Sequence, residues 1–143
     1  MTKRILVPTD GSPASTAAVD AAMAFAHDSG AQIVGLHVVP LRPLLSEGMG
    51  VVAAPESEDQ ARACLADVER RAAQAGVAAQ LLTRRADAPS EAILELARDL
   101  DCGLIVMALR SKRTGRGSLP GSQTAAVLAH SAVPVMVVPC HAT

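Results

Sequence analysis

Short, continuously apolar segments alternate along the chain with longer segments of helical period, and this alternation constrains the fold more than any other feature. Continuous apolar runs are typical of parallel strands that helices cover on both faces. We therefore predict an α/β fold, a doubly wound, five-stranded parallel sheet sandwiched by helices in a Rossmann-like arrangement. The predicted strands are Ile5–Val7, Ile33–Val39, Ala78–Leu82, Leu104–Met107 and Val135–Val138.

Helix signals fill the intervals between these strands. Ser12 is predicted to cap the first helix, with Pro13 at its first position. Ser57 to Gln60 form a capping-box pattern for a second helix that ends at Gly76. The third and fourth helices are predicted to start near Pro89 and between Pro120 and Ser122. The predicted inner faces carry Ala18, Ala21, Ala22 and Phe25 in the first helix, Ile93, Leu94, Ala97 and Leu100 in the third, and Ala125, Leu128 and Ala129 in the fourth.

Length and composition limit the possible classes of protein. With 143 residues, of which 50% are hydrophobic, the chain is predicted to form a single domain over residues 1–143. A net charge of −1 argues against a general binder of nucleic acid or of membrane surfaces. Cys64, Cys102 and Cys140 are far apart in sequence, and none belongs to a C-x-x-C pair. This pattern indicates free thiols in a reducing cytosol. We therefore expect a cytoplasmic protein.

The segment from Met107 to Thr124, MALRSKRTGRGSLPGSQT, combines four basic residues with three glycines after a predicted strand. Loops at the carboxyl ends of strands bind phosphate groups in open α/β sheets. No acidic residue follows Asp101, so the basic segment is either an anion site or a solvated basic loop.

Two further connections are open to two interpretations. The long connection from Pro40 to Pro55 is either a lid over a ligand or a loosely packed insertion. Asp10 directly follows the first strand, where a carboxylate can bind a ligand hydroxyl or close an Asx-turn.

Catalytic signals are weak. The chain contains no Walker phosphate loop, no G-x-G-x-x-G, no spacing typical of metal ligands and no nucleophile elbow. His37 lies in a predicted strand and is interpreted as a hydrogen-bonded core or rim residue. We predict no catalytic residue, no metal site and at most slow ATP hydrolysis.

Four segments, in order and over nearly the whole chain, resemble the universal stress protein family: ILVPTDGS, GLHVV, AILELARDLDCGLIVM and GSQTAAVLAHSAVPVMVVP. The resemblance implies an α/β homodimer with an adenine nucleotide alpha hydrolase-like fold. Some members bind ATP at the carboxyl ends of the strands, and others bind no nucleotide.

The ATP-binding branch of that family carries the signature G-x-x-G, a nine-residue spacer and G-[ST]. Gly121 and Ser122 match the last pair, whereas Ala108 and Ser111 replace the first two glycines. If those glycines need positive φ, the replacements cost about 1–2 kcal/mol of strain. If the glycines only let phosphate approach the backbone, Ala108 adds one methyl group and Ser111 a hydroxyl.

The resemblance implies an adenosine site in which Asp10 binds the ribose and the backbone of Val38 meets the adenine. Arg110 and its basic neighbours would replace the lost glycine amides at the phosphates. We therefore expect a regulatory homodimer, paired through Val133–Val138, that binds ATP, with or without Mg²⁺. The alternative is a nucleotide-free protein that acts only through protein contacts. The expected nucleotide-binding residues are Pro8, Thr9, Asp10, Val38, Met107, Ala108, Arg110, Ser111, Gly121, Ser122, Gln123 and Thr124.

Overall fold

The computed structural model describes residues 3–43, 51–53, 55–109 and 121–139. None of the helices within these ranges combines the length and apolar character needed to cross a membrane. In chain order, the elements are β1 (Arg4–Pro8), α1 (Pro13–Ser29), β2 (Gln32–Pro43), β3 (Val51–Ala53), α2 (Pro55–Ala75), β4 (Ala79–Ala86), α3 (Pro89–Asp99), β5 (Leu104–Leu109), α4 (Gly121–His130) and β6 (Val135–Pro139).

The sheet has the predicted parallel core. Five strands pair in parallel in the order β4-β2-β1-β5-β6, which confirms the α/β prediction. Within this set of five parallel strands, β4 and β6 therefore form the two edges. β1 lies at the centre, so the carboxyl ends of β1, β2 and β5 meet at one end of the sheet.

Successive side chains of β1 enter opposite halves of the core, as the period of a strand requires. Ile5 and Val7 pack in a cluster with residues of α1 and α2, including Val19 of α1. Leu6 packs in the other cluster, with residues of α3 such as Ile93. All three β1 side chains are fully buried, which explains why the strand reads as a continuous apolar run.

The start of α2 differs from the prediction. The helix begins at Pro55, so Ser57 lies inside it and the capping-box interpretation is wrong. Pro55, Pro13 and Pro89 each open a helix, because the fixed φ of proline suits the first helical position. The predicted end of α2 is confirmed at Gly76, whose φ of +69° suits a left-handed helix terminus.

Two predicted inner faces are corrected in part. In α1, Ala18 and Ala22 are buried as predicted, but Phe25 is 41% exposed. In α4, Leu128 is 52% exposed, and Thr124 and Val127 are the buried positions. Ala125 and Ala129 are also exposed, and Ala21 is half-buried. Alanine occurs on every side of these helices, so the apolar pattern did not define their inner faces.

The connection from Pro40 to Pro55 contains regular structure at both ends. β2 continues to Pro43, and Leu41, Arg42 and Pro43 pair in antiparallel fashion with Ala53, Val52 and Val51 of β3. Residues 44–50, which include the predicted centre of the lid, lie outside the described part. The choice between lid and insertion therefore stays a prediction.

Candidate functional site

A crevice opens at the carboxyl ends of β1, β2 and β5. It brings together six of the predicted nucleotide-binding residues, which come from three strands that are far apart in sequence. Ser15 of α1 and Leu36 of β2 also line it, and neither was predicted. The lining residues are Pro8, Thr9, Asp10, Ser15, Leu36, Val38, Met107 and Ala108.

The crevice is narrow as far as these residues define it. They enclose about 30 Å³, which is the space of one or two water molecules. A nucleoside is much larger, so this crevice can form only the floor of a nucleotide site. Segment 110–120, which follows β5, lies outside the described part.

The Asp10 carboxylate is oriented by its neighbours. Its Oδ1 accepts a 2.9 Å hydrogen bond from the backbone N–H of Ser12 and a 2.6 Å bond from the Ser15 hydroxyl. The first bond closes the Asx-turn that was one of the two interpretations of Asp10. Within the described residues, Oδ2 has no hydrogen-bond donor. The turn therefore leaves one carboxylate oxygen of Asp10 for another partner.

Ser12 caps α1 as predicted. Its side chain accepts a 3.2 Å hydrogen bond from the backbone N–H of Ser15. The Ser15 hydroxyl also accepts a 3.2 Å bond from the backbone N–H of Asp10. Ser15 is 5% exposed, so these contacts are shielded from water. The sequence patterns did not indicate Ser15, because its contact with Asp10 depends on the left-handed turn at Gly11, with φ +81°.

His37 and Thr9 join β2 to the loop after β1. The backbone N–H of Thr9 donates a 2.8 Å bond to the carbonyl of Leu36. His37 Nδ1 lies 3.0 Å from the carbonyl oxygen of Thr9, and it must carry the proton because a carbonyl only accepts. His37 is 5% exposed. The interpretation of His37 as a satisfied core residue is confirmed.

The backbone of Val38 extends past the end of β1. Gln32 donates to Lys3, and Thr9 donates to Leu36, so the even-numbered residues of β2 bond toward β1. Val38 is the next residue of that series, but β1 ends at Pro8. No backbone or side-chain partner for the N–H or C=O of Val38 occurs in the described ranges. The backbone N–H donor and the C=O acceptor of Val38 therefore lie together at the edge of the crevice.

Cys64 of α2 lies beneath the loop that carries Asp10. A Cβ atom built on Gly11 would lie 2.8 Å from Cys64 Sγ, closer than atoms pack in proteins. Burial raises the pKa of the Cys64 thiol to about 11, and the charge of Asp10 adds to that rise, while a hydrogen bond with Thr9 opposes it. A thiol with such a pKa is protonated and inert near neutral pH.

Ala108 lies in the regular part of β5 and contributes to the crevice wall. Asp101 is the one non-glycine residue with positive φ among those described. Ala108 therefore has no left-handed strain, and only its methyl group distinguishes it from the glycine of the family signature. Ser111 and Arg110 lie outside the described residues.

Gln123 and Thr124 of α4 are not among the residues that line the crevice. Gln123 Oε1 accepts a 2.9 Å hydrogen bond from the backbone N–H of Ser90. This bond caps α3, whose own N-cap, Ala88, has no side-chain oxygen. Thr124 is 4% exposed, and its Oγ1 has no hydrogen-bond partner within the described part of the chain. Gly121 and Ser122 form the first two residues of α4.

The fold and the position of the crevice define an α/β protein with a candidate ligand site at the carboxyl ends of its central strands. The model of the Universal stress protein family matches residues 1–139. The chain therefore belongs to the universal stress protein family.

Relatives of this chain match over nearly its whole length. Universal stress protein MJ0531 of Methanocaldococcus jannaschii is 29% identical over 140 residues, which cover 95% of this chain and 81% of that protein. A solved universal stress protein family member from Burkholderia pseudomallei is similar with a TM-score of 0.76 at 26% identity, over 97% of both chains. A universal stress protein in complex with cAMP is similar with a TM-score of 0.73 at 27% identity, over 98% of both chains.

Proposed function

We propose that this universal stress protein binds an adenine nucleotide at the crevice and acts as a homodimeric regulatory protein. The observation that carries the proposal is the juxtaposition of Asp10, which follows β1, with the backbone edge of Val38, which lies where the neighbouring strand β2 extends past the end of β1. That juxtaposition offers a charged acceptor and a donor–acceptor pair on one wall. A structure 27% identical to this chain holds cAMP, which supports the same class of ligand here.

The nucleoside half of the proposed site uses protein groups that are already held in position. Oδ2 of Asp10 accepts a hydrogen bond from a ribose hydroxyl, while Oδ1 keeps its bonds to Ser12 and Ser15. The N–H and C=O of Val38 bond the edge of the adenine. Because these protein groups are held before the ligand arrives, little conformational entropy is lost on binding.

The phosphate half uses α4 and the basic segment before it. The N-terminus of α4 at Gly121 and Ser122 offers free N–H groups, and helix N-termini attract anions. The buried Thr124 hydroxyl, unpartnered among the described residues, supports a polar ligand near this helix end. In the proposed site, Arg110 and Ser111 add charge and a hydroxyl to the phosphates.

The crevice favours binding over turnover. Asp10 is the one carboxylate among the described residues that line it, and Ser12 and Ser15 already use one of its oxygens. General acid–base chemistry needs a group that is free to gain and lose a proton in the reaction. We therefore propose a sensor or regulatory role for the nucleotide, with ATP as the ligand.

The proposed homodimer forms along the edge strand β6, which begins two residues into the predicted segment Val133–Val138 and contains the rest of it. Asp20 pairs with Arg71 of α2 and so marks the flank of α1 that faces α2. Phe25 is five positions further along α1, or about 140° around the helix. It therefore lies on the flank of α1 away from α2, toward β6. An exposed aromatic side chain beside an apolar edge strand is typical of a protein interface.

Leu128 provides the matching apolar surface on the other face of the sheet. Gln123 bonds Ser90 and so marks the flank of α4 that faces α3. Leu128 is five positions further on, about 140° around the helix, and 52% exposed. The edge strand is thus bordered by a large apolar side chain on each face. A second copy of the chain, paired along β6, would cover this surface.

A nucleotide-free protein that acts only through such contacts is the second candidate. The replacement of a signature glycine by Ala108 favours it, because the added methyl group occupies part of a crevice of about 30 Å³. The two candidates make opposite predictions for the effect of nucleotide on folding stability.

Thermal unfolding with and without ATP separates the two candidates. ATP at about 100 times its dissociation constant is expected to add about 2.7 kcal/mol to the free energy of unfolding. Adenosine is the control for the phosphate contacts, and GTP is the control for the base. An unchanged melting temperature in saturating ATP would contradict nucleotide binding and favour the nucleotide-free protein.

A further inference from the structure

The side of β4 that faces away from β2 pairs with no other strand in the described part of the chain. Among the described strands, β4 pairs only with β2, over eight residues from Ala79 to Ala86. In the set of five parallel strands, it is the edge opposite to β6. Most of its side chains are exposed, and Leu81 and Leu82 are half-buried. An edge strand of this length is a template for the addition of another strand.

The ladder with β2 shows which backbone groups of β4 face outward. Ile33 donates its N–H to the carbonyl of Ala78, so even-numbered residues of this segment bond toward β2. By the alternation of a parallel ladder, Ala79, Leu81 and Thr83 direct their N–H and C=O groups away from β2. Within the described residues, one of these groups has a partner: the Arg84 guanidinium donates a 3.0 Å bond to the Thr83 carbonyl.

The two faces beside this edge differ in chemistry. On the face covered by α2, a groove of about 500 Å³ has an apolar floor that includes Val39, Ala61, Leu65 and Leu81. The odd-numbered residues of β4 point to this face. A strand added along β4 would place every second side chain over this apolar groove.

The face covered by α3 carries a row of carboxylates. A smaller groove of about 140 Å³ is lined by Glu91, Glu95 and Asp99, which recur every four residues along one side of α3, and by Arg84 and Arg85 of β4. All three carboxylates are exposed, and none forms an ion pair within the part of the chain that the structure describes. Arg84 enters the same groove but bonds the Thr83 carbonyl rather than a carboxylate. Basic side chains of an added strand would meet unpaired negative charge here.

We propose that the outer edge of β4 binds an extended segment of a partner protein in which apolar and basic residues alternate. The segment adds to the sheet as a further strand, bonded to the outward groups of Ala79, Leu81 and Thr83. Its apolar side chains enter the groove beside α2, and its basic side chains meet the carboxylates of α3. This interaction surface lies apart from both the nucleotide crevice and the β6 edge.

Arg84 restricts access to this edge in the free protein. Its guanidinium occupies the Thr83 carbonyl that the incoming strand needs, and its charge repels a basic segment. Removal of the side chain therefore frees a backbone acceptor and leaves the row of carboxylates unopposed by it. Arg84→Ala is expected to bind a basic extended segment about two- to fivefold more tightly than the native protein.

The test uses the full chain and an end-blocked peptide of sequence Lys-Val-Lys-Val-Lys-Val-Lys, with a Glu-Val-Glu-Val-Glu-Val-Glu peptide as the charge control. Binding is measured by titration, and amide hydrogen exchange locates the contact. The Lys peptide is expected to slow exchange at Leu81 and Thr83 and to leave Leu82 unchanged, because Leu82 already bonds toward β2. The Glu peptide is expected to bind much more weakly.

Two sets of variants test the contacts separately. Thr83→Pro removes one outward N–H without touching the ladder to β2, and it is expected to weaken the Lys peptide about two- to tenfold. Glu91→Gln with Glu95→Gln is expected to weaken it about two- to fivefold for each carboxylate. Asp28→Asn, which removes an exposed carboxylate from α1, is the matched control and should have no effect.

Three outcomes would overturn the proposal. One is no binding of the Lys peptide at about 1 mM. Another is equal binding of the Glu peptide. The third is binding that leaves exchange at Leu81 and Thr83 of the native protein unchanged, a measurement that stays informative even where Thr83→Pro fails to fold.

Discussion

The hydroxyl of Ser15 donates a 2.6 Å hydrogen bond to Oδ1 of Asp10, across five positions of the chain. Together with the N–H of Ser12, this bond orients the carboxylate at the mouth of the crevice. The structural role of Asp10 and its proposed binding role therefore use different oxygen atoms. Oδ1 stabilises the turn into α1, and Oδ2 is the proposed ligand contact.

The stability role is tested by two substitutions of Asp10. Asp10→Asn keeps an Oδ1 acceptor for Ser12 and Ser15, whereas Asp10→Ala leaves both donors without it. We expect Asp10→Ala to lower the free energy of unfolding by about 1–3 kcal/mol and Asp10→Asn to lower it much less. Urea denaturation of the three proteins measures the difference. Equal losses for both substitutions would contradict the assigned role of Oδ1.

The contact between Gly11 and Cys64 is tested with a second glycine as control. Gly11→Ala forces a left-handed alanine and also drives a Cβ to 2.8 Å from Sγ, while Gly30 has a similar φ of +75° and no atom within 4 Å. We expect Gly30→Ala to lower the free energy of unfolding by about 1–2 kcal/mol and Gly11→Ala to lower it further. Adding Cys64→Ala to Gly11→Ala should remove part of the excess. An identical cost at both glycines would show that Cys64 does not restrict the loop.

The buried thiol of Cys64 predicts an alkaline limit to stability. Its pKa rises from 9.0 to about 11 on folding, chiefly through burial. Between these values the unfolded thiol loses its proton and the folded thiol keeps it, so the folded state loses relative stability as the pH rises. Below pH 9 the thiol is protonated in both states, so this loss of stability does not occur. Urea denaturation in reductant from pH 8 to pH 11 should show a steeper decline for the native protein than for Cys64→Ala, and parallel declines would contradict the prediction.

The proposed dimer is tested at the two edges of the sheet. Val137→Lys places a charge on β6 and should weaken the dimer, whereas Thr83→Lys places the same charge on β4 and should leave it unchanged. Sedimentation equilibrium at micromolar concentration measures both. A native protein that is monomeric under these conditions would contradict the dimer, and equal weakening by both substitutions would move the interface away from β6.

The apolar runs and the breakers between them were sufficient to predict the parallel sheet. As predicted, α1 begins at Pro13 and α2 ends before Gly76, because the backbone preferences of proline and glycine are local. Phe25 was predicted to lie on the inner face because a periodic pattern does not distinguish that face from an exposed flank of the same helix. Local signals define where elements begin and end better than which side of a helix is covered.

The site was predictable where it follows directly from the strands. Thr9 and Asp10 come directly after β1, Val38 lies in the part of β2 that extends past the end of β1, and the three residues meet in the crevice. Ser15 and Cys64 were missed, because their contacts depend on the turn at Gly11 and on how α2 packs beneath it. Gln123, one of the predicted nucleotide-binding residues, caps α3 through a contact between two helices that no sequence pattern indicated.

Calorimetric titration of ATP at low salt into the native protein, Asp10→Asn and Asp101→Asn tests nucleotide binding most directly. Asp101 lines a depression at the opposite, amino-terminal end of the strands, and asparagine tolerates its φ of +51°, so Asp101→Asn is the matched loss of a carboxylate. We predict binding to the native protein and to Asp101→Asn with equal affinity, and binding about tenfold weaker to Asp10→Asn, since a hydrogen bond to a charged group contributes about 1.5–3 kcal/mol. Absence of heat with ATP at about 1 mM, or equal affinity for Asp10→Asn and the native protein, would contradict a nucleotide site at Asp10.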